Sequence, residues 1–365
     1  MDSTFQPRFQ FQHHLFPFLE DEVGPLSDNE KRLVQVLAIS QLELFMTPFG
    51  WKFIGTKPAD RLPIARAFVA KSIWNFNTTR ALIDAIKSRP SLRRICGWDC
   101  VSEIPSESTF SRAFAAFAKF HLPEKIHQTM IQDKAGDIAV VHISRDSTAI
   151  PVREKPVAKP EPIPVAPKKR GRPCKGQIVE PTPPKRLELQ LTRSLSENLL
   201  DLPTECNCGT KKNSKGFKES WKGYKLHLDT IDGDIPVSAI LTSASLHDSQ
   251  VAIPLAQMSD QRLAALGYDL MDAAYDAEEI RAFSKQLGHV PIIDTNPRRG
   301  EKIPMEPATA QRFKQRTSAE RVNSQIKDNF GALTVHVRGA TKVMCHLMFG
   351  VLCCAAIQIF RRFAG

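Results

Sequence analysis

The chain has 365 residues, of which 42% are hydrophobic and 24% charged, and its formal net charge is +11. This composition excludes a disordered or collagen-like chain and is typical of a globular protein. The length predicts two domains, or one large domain with an insertion, and the excess of Lys and Arg predicts a polyanionic partner.

The thiols and the most apolar stretch bear on the cellular compartment. Eight cysteines are scattered along the chain, and the start, MDSTFQPRFQ, lacks the basic and apolar regions of a secretory signal. We therefore expect free thiols in a cytoplasmic protein. Residues 343–360 are apolar enough to raise the question of a membrane span. Because this stretch contains His346 and Gln358 and stands alone, we expect a buried helix and no membrane partner.

Residues 1–135 are predicted to form a helical, DNA-binding N-terminal domain. A capping box joins Ser27 to Glu30, and a second helical pattern covers residues 64–88. In a third helix four phenylalanines share one face, which core packing explains: Phe110, Phe114, Phe117 and Phe120. The opposite face presents Arg112 to solvent or to a DNA phosphate backbone.

Residues 136–365 are predicted to form a mixed α/β domain. The run DIAVVHISRDSTAIP reads as a central strand, and strands then alternate with helices. Asp232-Gly233-Asp234 predicts the turn of a hairpin. A proline-rich basic insertion at about residues 152–215 interrupts this domain. Ten Lys or Arg and three Glu lie between Pro151 and Arg186, so this stretch carries +7 of the net charge.

Two basic segments are candidates for DNA contact. Lys169, Arg170 and Arg172 belong to the sequence KKRGRP, in which Arg-Gly-Arg suits a narrow A·T minor groove. A solvated basic linker is the alternative, and either would add phosphate contacts. Further along, the stretch from Lys211 to Lys225 contains six lysines and is expected to flank DNA.

Three acidic residues lie where phosphoryl-transfer chemistry would need them. Asp146 is in the apolar strand VVHISRD, Asp272 follows the strand LGYDLM, and Glu320 lies in a polar helical stretch. A carboxylate on a buried strand is costly unless it is paired or binds a metal. Three carboxylates suit Mg²⁺, and two such ions can clamp the attacking and leaving oxygens. Spacing alone leaves Asp276 and Asp294 as competitors for the role of Asp272.

The helix around Glu320 has a specific pattern. Its sequence is Phe313-x2-Arg316-x3-Glu320-x6-Lys327, and these steps place Arg316, Glu320 and Lys327 on one face. A salt-bridged solvent face is one interpretation. The functional interpretation turns this face toward the two aspartates, where Glu320 binds metal and the two cations hold DNA phosphates.

With these residues in view, the chain resembles bacterial insertion-sequence transposases of the DDE class. Within that class it is similar to the branch with a Tyr-x2-Arg-x3-Glu-x6-Lys signature, although Phe313 replaces the Tyr. RDST around Asp146 and MDAAYD around Asp272 resemble the family's two aspartate motifs, and the second favours Asp272 over Asp276. WKGYKLHLD, SLHDSQ and PSESTFSR also resemble the group, over roughly residues 60–360.

The resemblance implies an RNase H-like catalytic domain whose acids are Asp146, Asp272 and Glu320. It implies two Mg²⁺ ions, with Mn²⁺ as a substitute, which activate water for cutting and then the freed 3′-hydroxyl for joining. The implied partners are the transposon ends and target DNA, bound by a homodimer in the nucleoid. His247 would lie near the scissile phosphate, unless His247 and Asp248 merely begin a helix.

Two other functions remain open from the sequence. A DNA-binding protein derived from such an enzyme would lack chemistry, and the presence of all three acids argues against it. A nuclease that cuts without joining would share the same acids. An assay of strand transfer separates the nuclease from the transposase.

Overall fold

The structure is a computed structural model that describes residues 20–21, 24–51, 53, 55, 57–158, 183–212, 216–295, 297, 301 and 303–364. Helices before the first strand are α1 (Asp28–Ser40), α2 (Arg61–Ile73), α3 (Thr79–Ser88), α4 (Pro90–Cys96), α5 (Glu107–Phe120) and α6 (Leu122–Ala135). Later helices are α7 (Arg186–Gln190), α8 (Leu195–Asp201), α9 (Ser249–Asp260), α10 (Glu278–Gln286), α11 (Pro307–Phe313), α12 (Thr317–Asn329) and α13 (Ala340–Ala364). The strands are β1 (Ala139–Pro151), β2 (Asn207–Lys212), β3 (Lys218–Ile231), β4 (Ile235–Ser243), β5 (Ala265–Met271) and β6 (Val290–Ile293).

The N-terminal region is helical, as predicted, but the single helix expected over residues 64–88 is two helices. Helix α2 ends before Asn75, whose φ of 53° is left-handed and cannot continue a right-handed helix. The Thr78 side chain then accepts from the Ala81 amide and starts α3. Helix α3 ends at Ser88, and Pro90 occupies the first turn of α4, where its missing N–H costs nothing.

The strands form one mixed sheet. Its order is β2-β3-β1-β5-β6, and β4 also pairs with β3. β1 is antiparallel to β3 and parallel to β5, and β5 is parallel to β6. The hairpin turn falls at Gly233 and Asp234, both with positive φ, which suits a tight turn between twisted strands. The strand order and directions, with helices on the sheet, confirm the predicted RNase H-like fold.

The apolar stretch near residue 350 is a buried helix. α13 is the one helix among the described residues that is long and apolar enough to span a membrane, and 89% of that stretch is buried. It packs against α1, α2, α5 and α6 of the N-terminal region and against β4 of the sheet. Residues of α13, the N-terminal helices and the sheet therefore share one continuous hydrophobic core.

The expected insertion contains ordered elements toward its end. Helices α7 and α8 pack on α9, and β2 pairs with β3 from Asn207 to Lys212. Most of the proline-rich part, including Lys169, Arg170 and Arg172, lies outside the described residues. The predictions for these three cations therefore stay predictions.

Candidate active site

Two aspartates lie side by side where β5 ends against β1. β1 and β5 are in register up to the pair Arg145 and Met271; Asp146 is the next residue of β1, and Asp272 directly follows the end of β5. Neighbouring strands are about 4.8 Å apart, so this register brings the two carboxylates to one place. Since side chains alternate along a strand, both project to one face, opposite that of Arg145. The sheet thus builds the first half of the predicted acidic site.

The surroundings of Asp146 disfavour its charge. Burial raises the pKa of Asp146 to about 6, and the neighbouring charge of Asp272 acts in the same direction. The Asn323 side-chain amide donates to Asp146 Oδ2 at 3.0 Å. Burial also raises the pKa of Asp272, as do the charges of Asp248 and Asp294, while its Oδ1 accepts from the Ala274 amide at 2.9 Å. When two carboxylates are held together in this way, a nearby positive charge stabilises the ionised form of both.

Helix α12 carries the third predicted acid. Its Asn323 contacts Asp146, and Glu320 lies one turn earlier on the same helix face. The Glu320 side chain is 51% exposed and forms an ion pair with Arg316. Arg316 also lowers the pKa of Asp146 and Asp272 by its charge. One guanidinium therefore serves all three acids, and the salt bridge that one interpretation of the helix predicted is present.

The Arg316 ion pair has a consequence for metal binding. Among the described residues, no three His, Cys, Asp or Glu side chains are gathered closely enough to hold a metal ion. Asp146 and Asp272 are together, whereas Glu320 is held by Arg316. The residues nevertheless fit a hard divalent cation, because the donors are carboxylate oxygens and the two aspartates are buried with raised pKa values. Convergence of all three acids stays a prediction.

Lys327 lies beside this site. It is seven residues after Glu320 on the same face of α12 and is half-buried. Burial lowers the pKa of Lys327, the Lys211 ammonium lowers it further, and the charge of Asp146 raises it. The β2 residue Lys211 and Lys327 thus form a positive border next to Asp146. The DNA-flanking role of the lysine-rich stretch stays a prediction.

Phe313 contacts the Arg316 guanidinium. The guanidinium carbon of Arg316 lies 5.8 Å from the centroid of the Phe313 ring. A cation above an aromatic face needs no phenolic hydroxyl. Phe313 is therefore sufficient for this contact with Arg316.

Lys225 and Asp248 form a pair that the sequence did not reveal. Lys225 Nζ donates to Asp248 Oδ1 at 2.9 Å and to the Leu246 carbonyl at 2.8 Å. Asp248 is the N-cap residue of α9, so the expected start of a helix at His247 and Asp248 is present, but the Asp248 side chain makes no capping hydrogen bond there. Ser147 donates to Asp248, whose charge in turn raises the pKa of Asp272. Asp248 is thus a fourth acid at the border of the site, and the motif SLHDSQ was its available signal.

The other predicted residues are more exposed. His247 is exposed next to Asp248, and its Nδ1 lies 2.8 Å from the Ser249 hydroxyl. Arg112 is exposed on α5, where its guanidinium donates to the Thr109 hydroxyl at 3.3 Å. The Lys225 ammonium forms an ion pair with Asp248, and it would have to leave this ion pair to bind a DNA phosphate. The roles of these three residues stay predictions.

The fold and the paired acids define the class of RNase H-like enzymes that process nucleic acid. Residues 142–356 match the family described as Transposase DDE domain, and residues 21–116 match the family described as Transposase domain (DUF772). The chain therefore belongs to the DDE transposases, which confirms the resemblance seen in the sequence. The branch with the Tyr-x2-Arg-x3-Glu-x6-Lys signature stays a prediction. No curated protein and no solved structure matches the chain.

Removing the charge of Asp146 should stabilise the metal-free protein near neutral pH. Because the folded pKa of Asp146 is about 6 and the unfolded value is near 3.9, the proton favours the folded state, and this stabilisation is lost as pH rises from about 4 to about 6. Asp146→Asn keeps the side-chain volume and never ionises. Its free energy of unfolding relative to wild type should therefore rise by about 2 kcal/mol between pH 4 and pH 7.5.

The measurement is urea unfolding of both proteins with a chelator present, at both pH values. The matched control is Asp133→Asn on α6, an exposed residue, for which the difference from wild type should change little with pH. If the free energy of unfolding of Asp146→Asn differs from that of wild type by the same amount at pH 4 and at pH 7.5, the raised pKa of Asp146 is contradicted.

Proposed function

We propose that the chain is the transposase of an insertion sequence, which cuts the ends of its element and joins the freed 3′-hydroxyl to target DNA. The observation that carries this proposal is the register of β1 and β5, which sets Asp146 within β1 beside Asp272, the residue that follows β5. The helix that bears Glu320 packs on β1 at the same point through Asn323. A single acid on a strand would not support this chemistry, whereas a coupled pair beside a third acid does.

Asp146, Asp272 and Glu320 would hold two Mg²⁺ ions, or Mn²⁺ in their place. When bound, such ions stabilise the charge that develops on the attacking and leaving oxygens of an in-line displacement. The protein itself contributes the position of its carboxylates, fixed by the strand register and by the amide of Asn323. Tyr275 adds a buried hydroxyl that has no hydrogen-bond partner within the described part of the chain, in range of the charges of Asp146 and Asp272.

Arg316 and Lys327 would hold DNA phosphates next to the acids. Arg316 is paired with Glu320 in the free protein. A phosphate that takes over the guanidinium would release the Glu320 carboxylate toward the two aspartates, since Arg binds either anion through the same planar donors. Binding of DNA would then be coupled to completion of the acidic site. Two copies of the chain, one on each transposon end, would account for joining both ends.

The test uses a duplex that ends in the inverted repeat bracketing the gene, with Mg²⁺, with Mn²⁺ and with a chelator. Release of the 3′ end and its transfer to a supercoiled plasmid are measured separately. The proposal predicts both reactions in either metal and neither in the chelator. Cleavage without transfer would indicate a nuclease, and tight binding without cleavage would indicate a DNA-binding protein derived from a transposase.

A further inference from the structure

A buried lysine lies in the helical region, away from the acids of the active site. Lys71 is in the last turn of α2, and only 7% of it is exposed. Its ammonium has no hydrogen-bond or ion-pair partner among the described residues. Burial lowers the pKa of Lys71 to about 8, and no carboxylate contributes to the shift. A cation on a buried side chain with no partner is poorly solvated and costs stability, so the residue needs an explanation beyond packing.

The Lys71 side chain lines a cavity of about 290 Å³. The other polar residues in its wall carry mainly hydroxyl, amide and imidazole groups: Asn77, Thr78, Thr79, Ser111, His336 and His346. Asn77, Thr78, Ser111 and His336 are exposed, so the cavity has an open polar border above a cationic floor. We call this feature the Lys71 cavity. Its donors are the kind that bind phosphate oxygens.

Helix α3 begins at the wall of the Lys71 cavity. Thr78 is its N-cap and Thr79 its first residue, and the helix continues for ten residues. The first amides of a helix lack intrahelical acceptors, and the helix dipole adds positive potential at this end. The unpaired Lys71 ammonium and the start of α3 are independent features in the wall of one cavity, and both favour an anion there.

The charges around the cavity agree with an anionic ligand. Burial lowers the pKa of His336, and the positive charges of Arg153 and Lys71 lower it further. The one carboxylate in the wall of the cavity, within the described residues, is that of Glu107, which is exposed and paired with Arg80 at 3.3 Å. Because Glu107 already has a partner and does not affect the pKa of Lys71, the ammonium is left for a ligand.

We propose that the Lys71 cavity binds a phosphate group of the DNA backbone. This inference rests on the proposed function, since it assigns the helical region a phosphate contact that supplements the active-site contacts. The open polar border allows a phosphate attached to a long polymer to enter. Ser111 in the wall belongs to α5, whose neighbouring Arg112 is exposed for contact with the same duplex.

The test compares Lys71→Met with Lys87→Met, an exposed lysine on α3. Affinity is measured for a 30-base-pair duplex of mixed sequence over a range of NaCl concentrations. Lys71→Met should bind about tenfold more weakly, and the slope of log affinity against log salt should fall by about 0.9, the value for one lost phosphate contact. Its melting temperature should equal or exceed that of wild type, because the uncompensated buried charge is gone. Lys87→Met should change each of these less.

A second arm separates the site from the source of the phosphate. Melting is measured in phosphate and in chloride at equal ionic strength. If phosphate raises the melting temperature of wild type but not of Lys71→Met, the Lys71 cavity binds an anion. This conclusion holds even if wild type fails to bind DNA. That failure would instead overturn the proposed function. If phosphate has this effect but Lys71→Met binds DNA as tightly as wild type does, the cavity binds an anion other than the DNA backbone, and the assignment to DNA is overturned.

A third arm does not depend on the buried position. Ser111→Glu adds negative charge at the exposed border of the Lys71 cavity and should weaken DNA binding, whereas Ser111→Ala should leave it close to wild type. A lower melting temperature of Lys71→Met, together with wild-type DNA affinity in Lys71→Met and in Ser111→Glu, would show a purely structural lysine and overturn the proposal.

Discussion

Asp272→Asn is expected to reduce cleavage of transposon-end DNA by about a thousandfold or more, while the affinity for the same duplex changes by less than about twofold. The variant preserves the volume of the side chain but removes a negative metal ligand beside Asp146. The Asn side chain can still accept the hydrogen bond from the Ala274 amide, so the local turn should persist. The measurements are single-turnover cleavage in Mg²⁺ and binding in a chelator.

Two neighbouring acids provide the controls for this variant. Asp276 accepts from Arg281 at 2.8 Å, so Asp276→Asn should mainly affect the start of α10 and should leave cleavage substantial. Asp294 lies close enough for its charge to raise the pKa of Asp272. Cleavage that survives in Asp272→Asn but is lost in Asp294→Asn would transfer the catalytic role to Asp294.

Arg145→Met is expected to destabilise the folded protein by about 3–5 kcal/mol. Arg145 is next to Asp146 in β1 but points to the opposite face, where its Nε and Nη2 each donate to Asp229 at 2.8 Å. Both side chains are almost fully buried, at 2% and 0% exposure. Ser259 also donates to Asp229 at 2.7 Å, but it cannot neutralise the carboxylate once Arg145 is removed. The loss is measured as the free energy of unfolding in urea.

An exposed pair and a double variant make this prediction specific. Arg80 and Glu107 form an ion pair with side-chain exposures of 78% and 50%, so Arg80→Met should cost less than about 1 kcal/mol. Arg145→Met combined with Asp229→Leu removes both buried charges and should recover part of the loss. A cost for Arg145→Met as small as that of Arg80→Met would refute a structural role for the buried pair.

The parts of the fold that follow local patterns could be predicted from the sequence. The apolar run before Asp146 gives β1, and the Asp232-Gly233-Asp234 turn gives the hairpin, because side-chain alternation and positive φ are local properties. The pairing of Asp146 with Asp272 depends on the register of β1 against β5. The sequence predicted Asp146 on a strand and Asp272 just after one, but only the structure shows that the two positions are neighbours.

Other features depend on contacts between residues distant in the chain. Asp248 has the position and residue type of a helix cap, and its use by Lys225 follows from the pairing of β3 with β4. The break between α2 and α3 depends on one left-handed residue, Asn75, inside a continuous apolar pattern. Glu320 was correctly predicted to lie on a helix. Whether its carboxylate stays in an ion pair or binds metal depends on whether Arg316 is bound to Glu320 or to a DNA phosphate, and the sequence does not determine this.

The position of α13 has a consequence for synthesis of the protein on the ribosome. Its 25 residues fill the space between the N-terminal helices and the sheet, although some 200 residues separate it from α6 in the chain. The N-terminal helices emerge early and pack on one another, but they cannot finish burying their apolar faces until α13 has also been translated. A transcript that is cut short upstream of Ala340 would thus yield a chain with an exposed apolar groove, a substrate for chaperones and proteases. Completion of the core of the helical region is in this way tied to translation of the Transposase DDE domain, whose match at residues 142–356 extends into α13.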